Sequence, residues 1–451
     1  MILLILLNTL IIKRTMKDLS KKVMGSCFLA ACLEMYDFAI FGFFSSVLHS
    51  NYLSFLDKKN AMIIAYALFA VGFIFRPLGS LIFGYIGDVY GRRIALILSV
   101  SFMGSASLAM FLMPSYAMIG ILSCYLIALI RIVQGISVGG EYSGALIYAV
   151  EHFNKKKSGL VGGVVICGCI TGVLLASIVS KILQNPELPE YSWRFAFLLG
   201  FGLSAIGYFI RKNLLETPEF KRLGSSRVKV PLIAGLKNYT TECIGTIFAA
   251  ASLGINFYFI LIFLPGYINK LTGLDVKFYP TLTTVILIIL SPMFGWLSDK
   301  LNRAQMLKWS MLAISCYSFV GLQLVALYPT YSSALLFFCG HAIIFSIQAS
   351  TANIFIIEVF PPQCRFSCAS VCYSLGMGVV GGTSPLLASL ILDKFDNPTF
   401  YLSSYITMIS FLGYVGVRVI TSKKERVKEV EPLIAESDLV WSYSYEFENQ
   451  Q

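Results

Sequence analysis

Charged and amide side chains lie inside segments that otherwise consist of apolar residues. One apolar run contains Glu34 and Asp37, which are three positions apart and therefore share one face of a helix. Another run contains Arg131, Gln134 and Glu141, with glycines between the arginine and the glutamate. An ionisable group in a membrane-length segment is costly unless it is paired or hydrated. These residues therefore indicate a functional site rather than a simple packing core.

The chemistry that these side chains support is reversible proton binding linked to the binding of a charged solute. Burial away from water raises the pKa of a carboxyl group, whereas a neighbouring arginine lowers it again. A solute that occupies the arginine would release the acid from its partner and favour proton uptake. Because such coupling is reciprocal, we expect a proton and a solute to move together in the same direction.

A second pattern occurs twice, each time at the end of an apolar run. The first copy contains Gly84, Asp88, Gly91, Arg92 and Arg93, and the second contains Gly295, Asp299, Lys300 and Arg303. An acid at such a position can engage the N-terminus of a neighbouring helix, and the cations can engage acids or carbonyl groups. Contacts of this kind can form in one state of a gate and break in the other. The repeat also predicts a duplicated helical bundle around a central site.

The composition indicates that lipid is the solvent for much of the chain. Of the 451 residues, 57% are hydrophobic and 13% are charged, whereas soluble domains carry roughly 25% charged residues. The net charge of +11 comes from short clusters of cations between apolar runs, which argues against a nucleic-acid partner. The eleven cysteines do not form a secreted disulfide framework. We find no metal cluster, phosphate-binding loop or nucleophile arrangement in the sequence.

Twelve apolar runs are long enough to cross a bilayer, which takes about 20 residues. The sequence therefore predicts an all-α membrane protein with twelve transmembrane helices in two six-helix halves. The predicted parts are a cytoplasmic N-terminal segment 1–22, a first six-helix bundle 23–211, a cytoplasmic linker 212–240, a second bundle 241–420 and a cytoplasmic tail 421–451. Most lysines and arginines fall on the side of the two termini, which places both termini in the cytoplasm.

These residues resemble the major facilitator superfamily. The two loop motifs resemble its signature loop, and Arg131 with Gln134 resembles a second signature in the fourth span. More narrowly, the chain resembles the metabolite–proton symporter branch and, within it, the proline/betaine members. The further stretches that support this resemblance are Glu34 to Phe38, Trp193 to Phe197, Glu216 to Phe220, Glu358 to Pro361 with Arg365, and Gly381 to Pro385.

The resemblance implies roles for individual residues. Arg131 would be the coupling residue or the contact for a substrate anion, with Gln134 in the same site. The residues implied as proton or substrate groups are Glu34, Asp37 and Glu141. Further candidate substrate contacts are Tyr36, Arg76, Tyr142 and Tyr373. The residues implied for a cytoplasmic gate are Gly84, Asp88, Gly91, Arg92, Arg93, Glu151, Asp299, Arg303, Glu358 and Arg365.

The sequence departs from the family pattern at four positions. Val89 stands where a cation commonly follows the acid of the signature loop, and Met35 stands where an aromatic residue is usual. In the second loop, Asn302 and Ala304 stand where a glycine and an arginine are common. The second loop therefore lacks part of the charge pattern of the family.

The leading interpretation is a proton-coupled symporter that imports a zwitterionic osmoprotectant such as proline or glycine betaine. The carboxylate of the solute would meet Arg131, and its ammonium group would meet an acid or aromatic rings. The alternatives are a proton symporter for 2-oxoglutarate-like dicarboxylates and a non-transporting membrane sensor. We expect no enzyme activity, cofactor, metal or nucleic-acid partner. The expected partners are a small solute, protons and the lipid of a bacterial inner membrane, in which the protein would act as a monomer.

Overall fold

The computed structural model describes residues 2–52, 68, 71–153, 157–224, 228–276 and 278–448, and these residues form helices without a strand. Large apolar side chains such as Met118, Phe209 and Trp309 are exposed on the surface of the bundle. Such a surface fits helices that face lipid, where every backbone polar group must be satisfied within the helix itself.

The helices are numbered in chain order. The N-terminal half contains α1 (Ile2–Phe43), α2 (Ser45–Tyr52), α3 (Arg76–Val89), α4 (Arg92–Phe111), α5 (Tyr116–Ile119), α6 (Leu122–His152), α7 (Ser158–Leu183) and α8 (Arg194–Lys212). The helices between the halves are α9 (Pro218–Leu223) and α10 (Pro231–Asn238). The C-terminal half contains α11 (Thr240–Tyr258), α12 (Leu264–Thr272), α13 (Tyr279–Ser298), α14 (Arg303–Leu327), α15 (Tyr331–Glu358), α16 (Arg365–Tyr373), α17 (Ser384–Lys394) and α18 (Pro398–Glu448). The π-helical segments Phe259–Phe263 and Ser374–Gly381 follow α11 and α16.

The described residues contain 11 helical stretches that are long and apolar enough to cross a membrane. They correspond to the first and to the third through twelfth expected spans. The second expected span, 61–86, lies partly outside the described residues, and its described end belongs to α3. The prediction of an all-α membrane protein with two six-helix halves is confirmed.

The stretch predicted as a linker contains two short helices, and each starts at a proline, Pro218 or Pro231. Proline suits the first turn of a helix because the backbone N–H there has no intrahelical acceptor. Thr217 caps α9, since its hydroxyl accepts a hydrogen bond from the backbone N–H of Phe220 at 3.2 Å. In the predicted tail, the last span continues as one helix to Glu448.

Among the described residues, the most extensive contacts between the two halves are those of α3 with α16 and of α7 with α13. Glycines allow both close approaches. A β-carbon added to Gly84 would lie 2.8 Å from Cα of Ser367, and one added to Gly163 would lie 2.9 Å from Cα of Pro292. Because α3 and α13 are the second spans of their halves, the two contacts are equivalent under the duplication.

Within the N-terminal half, α6 crosses α3 at Gly139, where an added β-carbon would lie 2.6 Å from the backbone nitrogen of Ser80. We expect Gly139→Ala to lower the free energy of unfolding by roughly 1–3 kcal/mol through overpacking. Gly202→Ala is the matched control, because an added β-carbon there has nothing within 4 Å. Thermal unfolding of the purified protein in detergent measures both variants. Equal melting temperatures for the two variants would contradict the tight crossing.

Candidate functional site

Asp88 is buried at the C-terminal end of α3, against the opposite half of the protein. Its carboxylate accepts hydrogen bonds from the backbone N–H groups of Phe366 at 3.1 Å and Ser367 at 2.8 Å. These groups belong to the first turn of α16, where N–H groups lack intrahelical acceptors and the helix dipole favours a negative charge. The acid of the first loop therefore caps a helix of the second half.

Asp299 makes the equivalent contact in the opposite direction. Its carboxylate accepts hydrogen bonds from the backbone N–H groups of Gly159 at 2.7 Å and Leu160 at 2.8 Å. Both groups lie in the first turn of α7, which belongs to the first half. The two acids thus tie the halves together reciprocally at one end of the bundle, which we call the gate face.

Arg92 lies at the centre of the gate face and is fully buried. Its guanidinium forms ion pairs with Asp88 at 3.3 Å and with Glu151 at 3.0 Å. It also donates hydrogen bonds to the carbonyl oxygens of Gly87 at 2.8 Å and Pro362 at 2.7 Å. Since Pro362 belongs to the second half, Arg92 links the acids of the first half to the backbone of the second.

Arg303 has the same position in the second copy. It pairs with Asp299 at 2.9 Å and with Glu358, and it donates to the hydroxyl of Ser158 at 3.0 Å across the halves. This network is present although position 302 holds an asparagine where the family commonly has a glycine. The side chain of Asn302 caps α14, since its oxygen accepts a hydrogen bond from the backbone N–H of Gln305. The second loop keeps an ion-pair network despite its departures from the family pattern.

The start of α4 depends on Gly91, whose φ of 126° lies in a region that favours glycine. This turn exposes the backbone N–H groups of Arg92 and Arg93, which donate to the carboxylate of Glu216 at 3.2 Å and 3.1 Å. Glu216 therefore caps α4 from the linker, and the side chain of Arg93 donates to the carbonyl oxygen of Lys212.

The linker contributes further contacts at the gate face. Thr217 donates a hydrogen bond to Glu151 at 2.6 Å, and Glu219 forms an ion pair with Arg365. Arg365 also pairs with Glu151 at 3.1 Å. The sequence analysis did not assign Glu216, Thr217 or Glu219 a role, although the stretch that contains them was part of the family resemblance.

A cavity of about 750 Å³ lies beside these contacts, with Glu151, Glu219, Glu358, Arg303 and Arg365 in its wall. The ion pairs of the gate face therefore border open volume on one side.

Neutralising Asp88 tests the reciprocal capping. We expect Asp88→Asn to weaken the interaction with the N-terminus of α16 by about 0.3–2 kcal/mol, because a neutral amide interacts less favourably with the helix dipole than a carboxylate does. Spin labels at Tyr90 and Leu301, which are exposed at the two loops, would then report a longer or broader distance distribution by pulsed electron–electron double resonance.

The matched control for this measurement is Glu187→Gln, which removes one exposed negative charge from another loop. This variant should leave the distance distribution between the labels unchanged. An unchanged distribution in Asp88→Asn as well would show that the capping contact does not hold the gate face closed.

A second, much smaller cavity of about 10 Å³ lies between the halves, deeper in the bundle. Its wall contains Glu34 and Arg76 from the first half, and Tyr142 and Tyr373 from opposite halves. The two tyrosine rings stack with their centroids 5.2 Å apart. The structure thus brings together four residues that the sequence analysis assigned to substrate or proton binding.

Arg76 is buried at the start of α3 among aromatic residues. Its guanidinium lies 4.8 Å from the ring centroid of Phe38 and 5.0 Å from that of Phe73, and it donates to the hydroxyl of Tyr258 at 3.5 Å. Aromatic faces stabilise a buried guanidinium without neutralising it.

Glu141 lies in the interior of the N-terminal half. It forms an ion pair with Arg211 at the end of α8 and accepts a hydrogen bond from the hydroxyl of Ser99 on α4. The sequence analysis placed Arg211 at the boundary of the linker and did not pair it with an acid. No local sequence signal connects the two residues, because they lie on different helices, α6 and α8, and meet only in the folded bundle.

Asp37 engages different neighbours from Glu34 although both lie on α1. Its carboxylate accepts hydrogen bonds from the hydroxyls of Ser107 at 2.9 Å and Ser204 at 3.4 Å. It is 1% exposed, and no ion pair of Asp37 occurs in the described part of the chain. Asp37 is therefore a buried carboxyl group held by hydroxyls.

Arg131 lies on α6 close to α1. Its guanidinium donates to the side-chain oxygen of Gln134 at 2.9 Å and to the carbonyl oxygen of Leu68 at 3.3 Å. It also lies 4.2 Å from the ring centroid of Phe41. Tyr36, another candidate substrate contact, donates its hydroxyl to the carbonyl oxygen of Ala196 at 2.8 Å and packs against α8.

The C-terminal half contains a buried polar cluster that the sequence analysis left outside the site. Asn256 donates to the hydroxyl of Ser410 at 2.9 Å, and its side-chain oxygen lies 3.0 Å from Nε2 of His341. Gln348 donates to the hydroxyl of Ser252 at 2.7 Å. In the first half, the ionisable acid Asp37 contacts two serines. In the second half, the neutral amide of Asn256, which lies in the corresponding first span, contacts a serine.

The comparison with known families settles the class of this bundle. Residues 27–365 match the family model described as Major Facilitator Superfamily. The chain belongs to the major facilitator superfamily. It is accordingly a multi-pass membrane transporter for a small molecule and not an enzyme.

Curated relatives at modest identity cover most of the chain. A protein named putative proline/betaine transporter from Staphylococcus aureus (strain COL) is 26% identical over 410 residues, which is 88% of this chain and 87% of the relative. The proline/betaine transporter of Salmonella typhimurium (strain LT2) is 27% identical over 448 residues, 93% of this chain and 87% of the relative.

Solved structures share the fold. The proton:xylose symporter XylE bound to 6-bromo-6-deoxy-D-glucose matches with a TM-score of 0.73 at 16% identity, over 88% of this chain and 95% of that chain. The human organic anion transporter MFSD10 matches with a TM-score of 0.64 at 12% identity, over 89% of this chain and 99% of that chain.

Proposed function

We propose that this transporter is a proton-coupled symporter that imports a small zwitterionic solute, such as proline or glycine betaine, by alternating access. The relatives named proline/betaine transporters support the solute class. The observation that carries the proton coupling is the environment of Asp37, which is buried and held by two serine hydroxyls. Burial disfavours the charged form of a carboxyl group, so such a site can exchange a proton as the surroundings change.

The gate face supplies the conformational part of the proposal. In the described state, two acids each cap a helix of the opposite half, and ion pairs surround both contacts. Interfaces of this kind have discrete closed and open arrangements. We assign this face to the cytoplasm because lysines and arginines concentrate in the loops on this side. The described state is then closed to the cytoplasm.

The movement of protons with the solute would follow from linkage between the two binding events. When protonation of a buried acid favours the conformation that binds the solute, the solute must favour protonation by the same factor. An inward proton gradient then drives accumulation of the solute. Asp37 and Glu34 lie on one helix, so a single displacement of α1 would change the surroundings of both.

Uptake into proteoliposomes tests the proposed function. With an acidic exterior, we expect labelled glycine betaine or proline to accumulate, by up to about tenfold per pH unit for one proton per solute. A protonophore should abolish this accumulation. Accumulation that depends neither on the pH gradient nor on the protonophore would contradict proton coupling. Accumulation of 2-oxoglutarate instead of either zwitterion would favour the dicarboxylate alternative.

Replacing Asp37 separates coupling from solute binding. We expect Asp37→Asn to lose gradient-driven accumulation by at least about tenfold, because an amide cannot take up the proton. Exchange of external labelled solute for internal unlabelled solute should persist, since it needs no net proton movement. The matched control is Asp393→Asn, which removes an exposed carboxylate and should leave both activities intact. Full gradient-driven accumulation by Asp37→Asn would exclude Asp37 as the proton site.

A further inference from the structure

The small central cavity is formed jointly by the two halves. Glu34 on α1 and Arg76 on α3 line it from the first half, and Tyr373, Ser374 and Met377 line it from the second. Ser374 and Met377 belong to the π-helical segment Ser374–Gly381. Such segments are rare and often occur at functional sites.

Glu34 has capacity for hydrogen bonds that the protein does not use. It is 2% exposed, and neither of its carboxylate oxygens has a hydrogen-bond partner among the residues that the structure describes. A buried acceptor without a donor is unfavourable, and a buried unpaired charge is more so. Two such oxygens in the wall of one cavity therefore suggest that a ligand supplies a positive charge to pair with this carboxylate.

Arg76 shows the complementary feature. It is 3% exposed, and Nε and Nη2 of its guanidinium have no acceptor within the described part of the protein. Its stem passes close to Gly378 of the π-helical segment, where an added β-carbon would lie 3.3 Å from Cδ of Arg76. Nε and Nη2 lie on one edge of the guanidinium, and this edge can bind both oxygens of a carboxylate.

We propose that Glu34 and Arg76 together bind the two charges of one zwitterionic solute, a deduction that rests on the proposed transport function. Arg76 holds the carboxylate of the solute, and Glu34 holds its ammonium group. This assigns the anion contact to Arg76 rather than to Arg131, which is engaged by Gln134 and the carbonyl oxygen of Leu68.

The pair of opposite charges selects among small organic solutes. A dicarboxylate would place its second carboxylate against Glu34 with like charge, whereas a cation without a carboxylate would leave the guanidinium of Arg76 unsatisfied. A molecule with one charge of each sign satisfies both side chains. Desolvated sites of this kind discriminate strongly, because the wrong ligand leaves a buried polar group unpaired.

Aromatic rings around the pair favour an alkylated ammonium group. Tyr142 and Tyr373 stack on each other in the wall of the cavity, and the hydroxyl of Tyr258 contacts Arg76. Ring faces attract an alkylated cation with few N–H donors, or with none as in a quaternary ammonium group. The site therefore fits a secondary or quaternary ammonium carboxylate.

The cavity must widen before it admits such a solute. Its volume of about 10 Å³ is close to the space that one water needs. Contacts between the halves close it, including the pair of hydroxyls on Ser80 and Ser374 at 2.5 Å. The site thus opens when the halves separate, which joins binding to the movement that transport requires.

Two single-charge analogues of glycine betaine test the assignment. In 3,3-dimethylbutanoate a carbon replaces the ammonium nitrogen, so the shape stays and the positive charge is lost. Choline keeps the trimethylammonium group and lacks the carboxylate. Binding of all three compounds to the purified full-length protein is measured by calorimetry, and their inhibition of labelled betaine uptake is measured in proteoliposomes. We expect each analogue to bind the wild-type protein about 10–100-fold more weakly than betaine.

The variants should lose discrimination selectively. In Glu34→Gln, betaine should lose its advantage over 3,3-dimethylbutanoate, while its advantage over choline remains. In Arg76→Gln, the advantage over choline should disappear, while that over 3,3-dimethylbutanoate remains. This crossed pattern isolates each pairwise interaction. The charge-retaining variants Glu34→Asp and Arg76→Lys should keep both preferences in part, and they serve as the test if a neutral variant fails to fold.

The outcomes separate this site from the proposed function. Proton-driven uptake of betaine or proline with unchanged discrimination in the variants would overturn the Glu34–Arg76 assignment and leave the symport intact. Failure of the wild-type protein to accumulate either zwitterion would overturn the proposed function itself. Loss of the preference over choline in Arg131→Gln, with Arg76→Gln unaffected, would return the anion contact to Arg131.

Discussion

The closed end of this transporter depends on one interaction that occurs twice, a buried aspartate that caps a helix of the opposite half. Asp88 reaches the start of α16, and Asp299 reaches the start of α7. A charge-assisted hydrogen bond contributes about 1.5–3 kcal/mol when made, and its buried charge is costly when left unpaired. The contacts therefore form or break together with the movement of whole helices.

The arginines beside these acids keep the buried charges balanced. Arg92 pairs with Asp88 and Glu151, and Arg303 pairs with Asp299 and Glu358. The linker adds Glu216, which caps α4. The segment between the halves is thus part of the gate face, and a movement of either half must reorganise its contacts.

The two halves share one architecture and differ in their polar interiors. The first half holds Asp37 against serines and Glu141 against Arg211, whereas the second holds the amide of Asn256 beside His341. The acids to which we assign the proposed proton coupling, Asp37 and Glu34, lie in the first half. Duplication accounts for the shared fold and the paired loop contacts, whereas the interior side chains of the two halves have diverged.

Much of the architecture could be predicted from local sequence, because a span needs a sufficient run of apolar residues and the loop motifs occupy adjacent positions. The membrane class, the division into halves, the acids and arginines of the loops and the buried charges could be predicted, since each depends on residue type and spacing. The partners of these residues became known only from the folded bundle: Arg211 for Glu141, the start of α16 for Asp88, and a shared cavity for Glu34 and Arg76. These pairs are distant along the chain, and their contacts depend on the rotation and depth at which helices pack, which no local pattern specifies.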